Sequence, residues 1–506
     1  MKFTWPDSFH FIGKSRPQGQ TVSSGEIAGR AALVADLLGK NGCKPGDRVA
    51  VWLTEGENQL AAIFGCWMAG VTFSVLPSFA GRSNTERSQL RVDDVFTVLQ
   101  PKLLLKTSGS ELPPTLQGEI QTVELPSADD SVAPGNPDDI RLRTDPDHAA
   151  FVQFTSGSTG GAKGAVVQFG QLQANLASIA HRMGLGEHDR MISWAPLYHD
   201  MGLMAVLLPL SRAADLVLME TDHFVRRPTS WLEAISTFRG TVSTAPPTAL
   251  KLLSRRKATD IDLSSWRYAW IGGEMVFPKI LEDFEKTYAS SGLSRGVMQP
   301  TYGMAETVVG ISCGTPGERW SVENGFASCG SALPGMEMQI VNDENELVAS
   351  GGTGHITVRG PSVMKGYLGL EPFAENDWFD TGDLGFESGG RLYVTGRVKD
   401  VLKRGGESFP ATVVEAIAEE VLLLRTGRAA AFANLRPDVG KEEIVLLVES
   451  HDWNDDQARK VGTAIVRELG LQVDVIRNTH GGRLPRTSSG KIMRLWAAEL
   501  FAKGML

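Results

Sequence analysis

Cysteine is scarce: the 506 residues hold four, Cys43, Cys66, Cys313 and Cys329, widely spaced, with no CxxC pair and no histidine cluster beside them. This excludes a disulfide framework or a cysteine-based zinc site and predicts buried free thiols. Basic charge is also in short supply, with 50 Lys and Arg against 59 Asp and Glu and a formal net charge of −9. Broad nucleic-acid binding, which needs a basic excess to neutralise phosphates, is therefore not expected; a small anionic ligand needs only local donors. No apolar run approaches the roughly 18 residues of a membrane span. The opening MKFTWPDSFHF places Trp, Pro and Asp where a signal peptide needs uninterrupted apolar residues, so a cytoplasmic protein is expected. No fixed-period repeat is present. Glycine is what the chain has in excess, 55 residues, about 11% against a usual 7%. Close backbone approaches, as in phosphate-binding loops, use it.

The length exceeds what one hydrophobic core organises, so two or more domains are expected. Ser23-x-x-Glu26 forms a capping box ahead of apolar residues Ile27, Ala31, Val34 and Leu38, spaced for one helix face, and Gly42 stops that helix. RVAVWL at 48–53, a helix over 57–69 and VTFSVLP at 71–77 read as a βαβ unit, hence a parallel sheet. Apolar runs at 149–154, 190–195, 215–219, 241–245 and 267–271 continue the α/β alternation, while 125–147 reads as an exposed loop. After about residue 330 EMQIVN, HITVRG and RLYVTGR predict a β-rich subdomain closing a large domain over 1–397. From 398 to 506 the pattern predicts a small α+β domain: helix 412–421, strands 428–433 and 443–449, helix 454–469, strand 472–477 and a terminal helix.

TSGSTGGAKG at 155–164 follows the strand-like AAFVQF. Hydroxyls at Thr155, Ser156, Ser158 and Thr159, glycines at 157 and 160, and Lys163 form a loop able to aim N–H, O–H and ammonium groups at phosphate oxygens. A Walker loop needs a hydroxyl directly after its lysine, whereas Gly164 follows Lys163 here. In TYGMAET, which begins at Thr301, Tyr302 offers a flat face to a base, Gly303 permits close approach and Glu306 is a hard oxygen donor suited to Mg2+. Read alone, each of these residues also fits a purely structural place: a core tyrosine, a surface glutamate, a tight turn.

The ordered set TSGSTGGAKG, IGGE (271–274), TYGMAET (301–307), TGDLG (381–385), GRVKDVLKRGGESFP (396–410) and LPRTSSGKIMR (484–494) resembles the adenylate-forming superfamily over nearly the whole chain. That superfamily comprises acyl-CoA synthetases, fatty-acyl-AMP ligases, peptide-synthetase adenylation domains and firefly luciferase. The resemblance implies an α/β fold: a large N-terminal domain of parallel-sheet subdomains with a β-rich subdomain, and a small, mobile α+β C-terminal domain. It also implies that ATP, with Mg2+ on Glu306, is attacked by a carboxylate to give an acyl-adenylate. By the same resemblance Tyr302 stacks on adenine, while Gly272, Gly273 and Glu274 line its pocket. Asp383 then accepts the ribose hydroxyls with Arg397 beside it, and Lys491 is the catalytic lysine. Lys399 matches the hinge of the small domain, and Gly405 and Gly406, beside Lys403, match a loop facing the thiol of coenzyme A.

In WAPLYHDMGL at 194–203 the resemblance puts His199 beside the acyl pocket. The stretch HFVRRP at 223–228 lacks the acid with which amino-acid-activating relatives hold the substrate ammonium, which favours a hydrophobic carboxylic acid. Two positions depart from the family pattern: Ala162 stands where proline is usual and Thr412 where an acid is usual. Only 20 residues separate Thr307 from Ser328, without the extra segment that restrains the small domain of fatty-acyl-AMP ligases. The expectation is therefore an acyl-CoA synthetase. Its rivals are a ligase that loads carrier-protein pantetheine or stops at the adenylate, a luciferase-like oxygenase, and a nucleotide binder without catalysis.

Overall fold

The computed structural model describes residues 3–506 apart from 15, 54–55, 78–85, 109–119, 128–129, 141, 143–144, 156–161, 257, 375, 405–406, 437–440, 480 and 488–490. The chain forms two compact units: Met1–Met338 with Val358–Phe379 and Gly390–Leu392, and Gln339–Thr357 with Asp380–Gly389 and Tyr393–Leu506.

Two sheets organise the first unit. In the six-stranded one the order is Thr122–Leu125, Leu103–Thr107, Arg48–Trp52, Thr72–Val75, Ala149–Thr155, Lys163–Gln168. Its pairings are parallel except for the last, an antiparallel return in which Thr155 faces Lys163. The helix Glu57–Ala69 joins Arg48–Trp52 to Thr72–Val75 as the βαβ pattern predicts, and Gly70, at φ +73°, ends it. In the nine-stranded sheet the central strands Met298–Tyr302, Tyr268–Ile271, Val242–Ala245, Arg190–Ser193, Asp215–Met219 and Ser8–Ile12 lie side by side and parallel. Antiparallel strands flank them at both edges.

These strands are short apolar runs because helices cover both faces, which removes any need for polar alternation. On one face a ladder of rings carries the core: Trp194 stacks on Phe224 at 3.6 Å, Trp231 meets Trp266 at 5.2 Å, and Phe284 meets Tyr288 at 5.0 Å. The capping box forms as read, Ser23 and Glu26 bonding reciprocally at the start of the helix Ser24–Lys40. In the 125–147 loop, backbone carbonyls of Pro126, Ser127 and Asp130 accept from Asn58 and Arg30, which tie it down.

In the second unit the strands Ala429–Arg436, Lys441–Val448 and Val475–Asn478 form a sheet, antiparallel then parallel. Alternate residues feed two cores: Ala429, Ala431, Ile444 and Leu446 pack on one side, Ala430, Phe432, Val445 and Leu447 on the other. The helices Ala411–Val421, Asp455–Leu469 and Arg494–Ala502 complete it, and Val401–Arg404 pairs with Glu407–Pro410 in a hairpin. This is the α+β composition read from 398 onward. All four cysteines are free thiols; Cys66, Cys313 and Cys329 are buried, while Cys43 is half-buried, a departure from the expectation of four buried ones. Among the described residues no helix is long and apolar enough to cross a membrane.

Candidate active site

The chain leaves Arg190–Ser193 for a neighbour on one side, Asp215–Met219, and then returns to the other side at Val242–Ala245. Such a switch point opens a crevice at the carboxyl ends of the strands, where α/β sheets bind ligands. Three candidate segments start there: Trp194 to His199 after one strand, Gly272 to Glu274 after Tyr268–Ile271, and Gly303 to Glu306 after Met298–Tyr302.

Local geometry explains the residue types. Gly272 lies so near Thr301 that a Cβ would sit 2.5 Å from its hydroxyl, which itself donates to the Ile271 carbonyl at 3.3 Å. Gly273 adopts φ +78°, and Glu274 is half-buried. A Cβ on Gly303 would run into the Val309 carbonyl, so no other residue fits that crossing. Beyond Glu306 the chain makes a γ-turn in which Val308, a β-branched residue, takes φ 70° and ψ −62° and the Val309 N–H donates to the Thr307 carbonyl at 2.9 Å. Such a conformation costs about 1–3 kcal/mol and persists only where its surroundings enforce it. Here fully buried Asn175 grips the loop from both sides, donating to the Gly310 carbonyl and accepting from its N–H. Tyr302 is buried at its strand's end.

Lys163 begins the strand Lys163–Gln168, which pairs antiparallel with Ala149–Thr155, so a strand and not a helix N-terminus starts at this lysine, in keeping with the distinction from a Walker loop. Ser156, Gly157, Ser158, Thr159 and Gly160 lie outside the described residues; Thr155 and Lys163 are its described ends. The Lys163 ammonium sits 5.1 Å from the centroid of the Tyr367 ring, and the Tyr367 hydroxyl donates to Glu306 Oε1 at 2.8 Å. Burial, then the charge of Glu306, push the Tyr367 phenol above its usual range, so it stays protonated and donates. His199 occupies the position just before the helix Asp200–Leu210, its ring 5.2 Å from that of Tyr198, whose carbonyl accepts from Gln153 at 2.7 Å.

In the second unit Asp383 is buried in the strand Phe379–Ser388, next to Gly382 at φ +71°. Its Oδ1 accepts from Arg397 Nε at 3.1 Å, which joins two of the predicted residues. Lys403 is exposed in its hairpin, and Gly405 and Gly406 lie outside the described residues. Lys491 is exposed and is tied to Thr487, whose N–H donates to the Lys491 carbonyl at 2.8 Å and whose hydroxyl accepts from the Lys491 N–H at 3.0 Å.

Ionised side chains anchor the described residues on both sides of this pair. Upstream, Arg486 and Arg428 reach Glu449 at 2.7 and 2.8 Å. Burial works against the Glu449 charge, but the two arginines and the Leu484 N–H outweigh it and hold the carboxyl below its usual range. Downstream, Arg494 makes a bidentate pair with Glu415 at 2.8 and 2.6 Å and reaches Asp400 at 2.6 Å. Burial opposes its charge too, and the two carboxylates outweigh that, raising the guanidinium further.

Tyr367, Asn175, Glu449 and Glu415 did not stand out in the sequence. The phrase MKGYLG, with Tyr367 in a glycine-flanked loop after a strand, was the available signal for the first; the others carry none. Among the described residues no three or more His, Cys, Asp or Glu side chains converge as a metal cage. A buried single carboxylate such as Glu306 fits Mg2+, which is held by one or two carboxylates together with substrate phosphates.

The profile of the AMP-binding enzyme family matches residues 4–368. The chain belongs to that family, within the adenylate-forming superfamily: it is an adenylate-forming enzyme whose nucleotide substrate is ATP. A protein of Caulobacter vibrioides provisionally named an acyl-CoA synthetase is 33% identical over 400 residues, covering 71% of this chain and 69% of that one. The medium-chain-fatty-acid–[acyl-carrier-protein] ligase of Moorena producens is 27% identical over 558 residues, covering 99% and 93%. A solved structure from work on fatty acyl-adenylate ligases of E. coli and L. pneumophila superposes with a TM-score of 0.88 at 28% identity, covering 99% of this chain and 96% of that one.

Proposed function

We propose that this enzyme activates a hydrophobic carboxylic acid as acyl-AMP and passes the acyl group to a pantetheine thiol. The observation that carries the reading is the shared contact of Lys163 and Glu306 with Tyr367, which gathers a phosphate-type cation and a metal-type carboxylate in one place. In the first step a carboxylate oxygen attacks the α-phosphorus of ATP, the bond to the bridging oxygen breaks, and pyrophosphate leaves. Lys163, Thr155 and the hydroxyls of Ser156, Ser158 and Thr159 hold the departing phosphates. Tyr302 lies on the adenine beside Gly272, Gly273 and Glu274, and Asp383 accepts the ribose hydroxyls with Arg397 beside it. His199 orients the acid, with no proton to transfer. Lys491 lowers the repulsion between the attacking carboxylate and the α-phosphate, a contribution made mainly in the transition state. Mg2+, when bound at Glu306, neutralises phosphate charge. In the second step the thiolate attacks the acyl carbon and AMP leaves.

The acceptor we put first is a carrier-bound pantetheine, because the Moorena relative, named for loading a carrier protein, matches nearly the whole chain. Free coenzyme A, first in the sequence reading, is the second reading. The 20-residue connection between Thr307 and Ser328, the open Lys403–Gly405–Gly406 loop expected from sequence, and the Caulobacter relative favour it. The test is a panel of fatty and aryl acids assayed with ATP for pyrophosphate and AMP release, alone, with coenzyme A, and with a phosphopantetheinylated carrier protein. Acylated carrier without acyl-CoA supports the first reading, and acyl-CoA formation the second. Adenylate accumulating in both mixtures removes the transfer step, and no pyrophosphate with any acid overturns the whole proposal.

A further inference from the structure

Tyr367 is stitched to both halves of the charged site by backbone as well as by side chain. It bridges Ala165, and the adjacent Leu368 N–H donates to the Gly164 carbonyl at 2.8 Å, beside Lys163. Met364 N–H donates to the Glu306 carbonyl at 2.7 Å, and Met364, Tyr367, Ala165 and Ala305 share one small apolar cluster. The loop carrying the tyrosine is thus fixed to the strand of Lys163 and to the turn of Glu306.

We infer that Tyr367 is a positioning residue that sets the carboxylate of Glu306 for the metal with its hydroxyl and gives the Lys163 ammonium its resting place with its ring. A carboxylate on a terminal torsion turns easily; a hydrogen bond to one oxygen stops that rotation, so the group meets a metal–nucleotide complex in one orientation. The ring face attracts the lysine cation, which holds it close to where phosphates arrive. One side chain therefore serves two charges of opposite sign. This inference rests on the reading of Lys163 and Glu306 given above.

Two variants separate the two roles: Tyr367→Phe keeps the ring and removes the hydroxyl, and Tyr367→Leu removes both. Binding of Mn2+ in the presence of ATP is read by paramagnetic resonance of the free ion, ATP binding in EDTA by calorimetry, and folding by thermal unfolding. Tyr367→Phe is expected to weaken Mn2+ binding by about 10- to 100-fold, the usual effect of removing a partner of a ligating carboxylate, while metal-free ATP affinity stays within about twofold. Tyr367→Leu is expected to lower both. If that variant does not fold, the Phe comparison decides alone. Wild-type Mn2+ affinity in Tyr367→Phe, or an equal loss of metal-free ATP affinity in it, overturns the inference. A wild-type enzyme that binds no nucleotide overturns the underlying reading and this inference with it.

Discussion

Tyr302, Gly272 and Glu306 are held by the ends of neighbouring parallel strands and by close backbone crossings, whereas Lys491 lies between Arg486 and Arg494, both anchored by ion pairs. The first arrangement depends on sheet register and on the absence of Cβ atoms. It tolerates no bulk. The second depends on charges that are partly exposed: Arg428 and Arg486 keep 37% and 25% of their side-chain surface while Glu449 keeps none. Such a clamp rests on charge rather than on a packed core, and it titrates.

The sharpest way to test this contrast is to remove the residue the clamp presents. Lys491→Ala is expected to slow acyl-adenylate formation by several orders of magnitude with little change in substrate binding, while transfer from supplied acyl-adenylate survives. Single-turnover assays of the two half-reactions read this, and equal losses in both would detach Lys491 from the first step. Asp383→Ala comes next. Losing a charged acceptor costs about 1.5–3 kcal/mol per hydrogen bond, so nucleotide affinity measured by calorimetry is expected to fall by an order of magnitude or more; unchanged affinity would take Asp383 out of the site. Smallest in activity is Glu449→Gln, which probes the clamp itself. Because the folded carboxyl lies below its usual range, its stabilising contribution is complete above the ordinary value of about 4.3 and is lost as pH falls through the lower folded value. The variant is expected to unfold at lower temperature near neutrality, by about 1–3 kcal/mol given the partial exposure of both arginines. It is also expected to lose less on acidification than the wild type. Parallel pH profiles of the two proteins by circular dichroism would show the clamp to be non-ionic.

The sequence made the elements legible where a continuous apolar run ends at a glycine or begins at a cap. The helix Glu57–Ala69 and the βαβ unit around it follow from nothing more. The candidate chemistry was legible where it is contiguous, as in TSGSTGGAKG and TYGMAET. What did not show were the groups that hold this chemistry in place. Tyr367 lies 61 residues from Glu306, and Arg494 lies 79 and 94 residues from Glu415 and Asp400. Such pairs exist only once register brings two loops together, and neither residue's neighbours in sequence announce a partner.

The crossing of Gly303 under the Val309 carbonyl bears on how libraries of variants of this enzyme should be interpreted. Any side chain there displaces backbone, so substitutions will vanish from a selected population whether or not the selection asks for catalysis. Depletion at Gly303 under a growth selection therefore carries information about assembly of the protein and none about its substrate. Depletion at exposed Lys491, where the surface accommodates any residue, reports on chemistry. An abundance screen run beside the activity screen separates the two: Gly303 variants fail both, and Lys491 variants fail only the second.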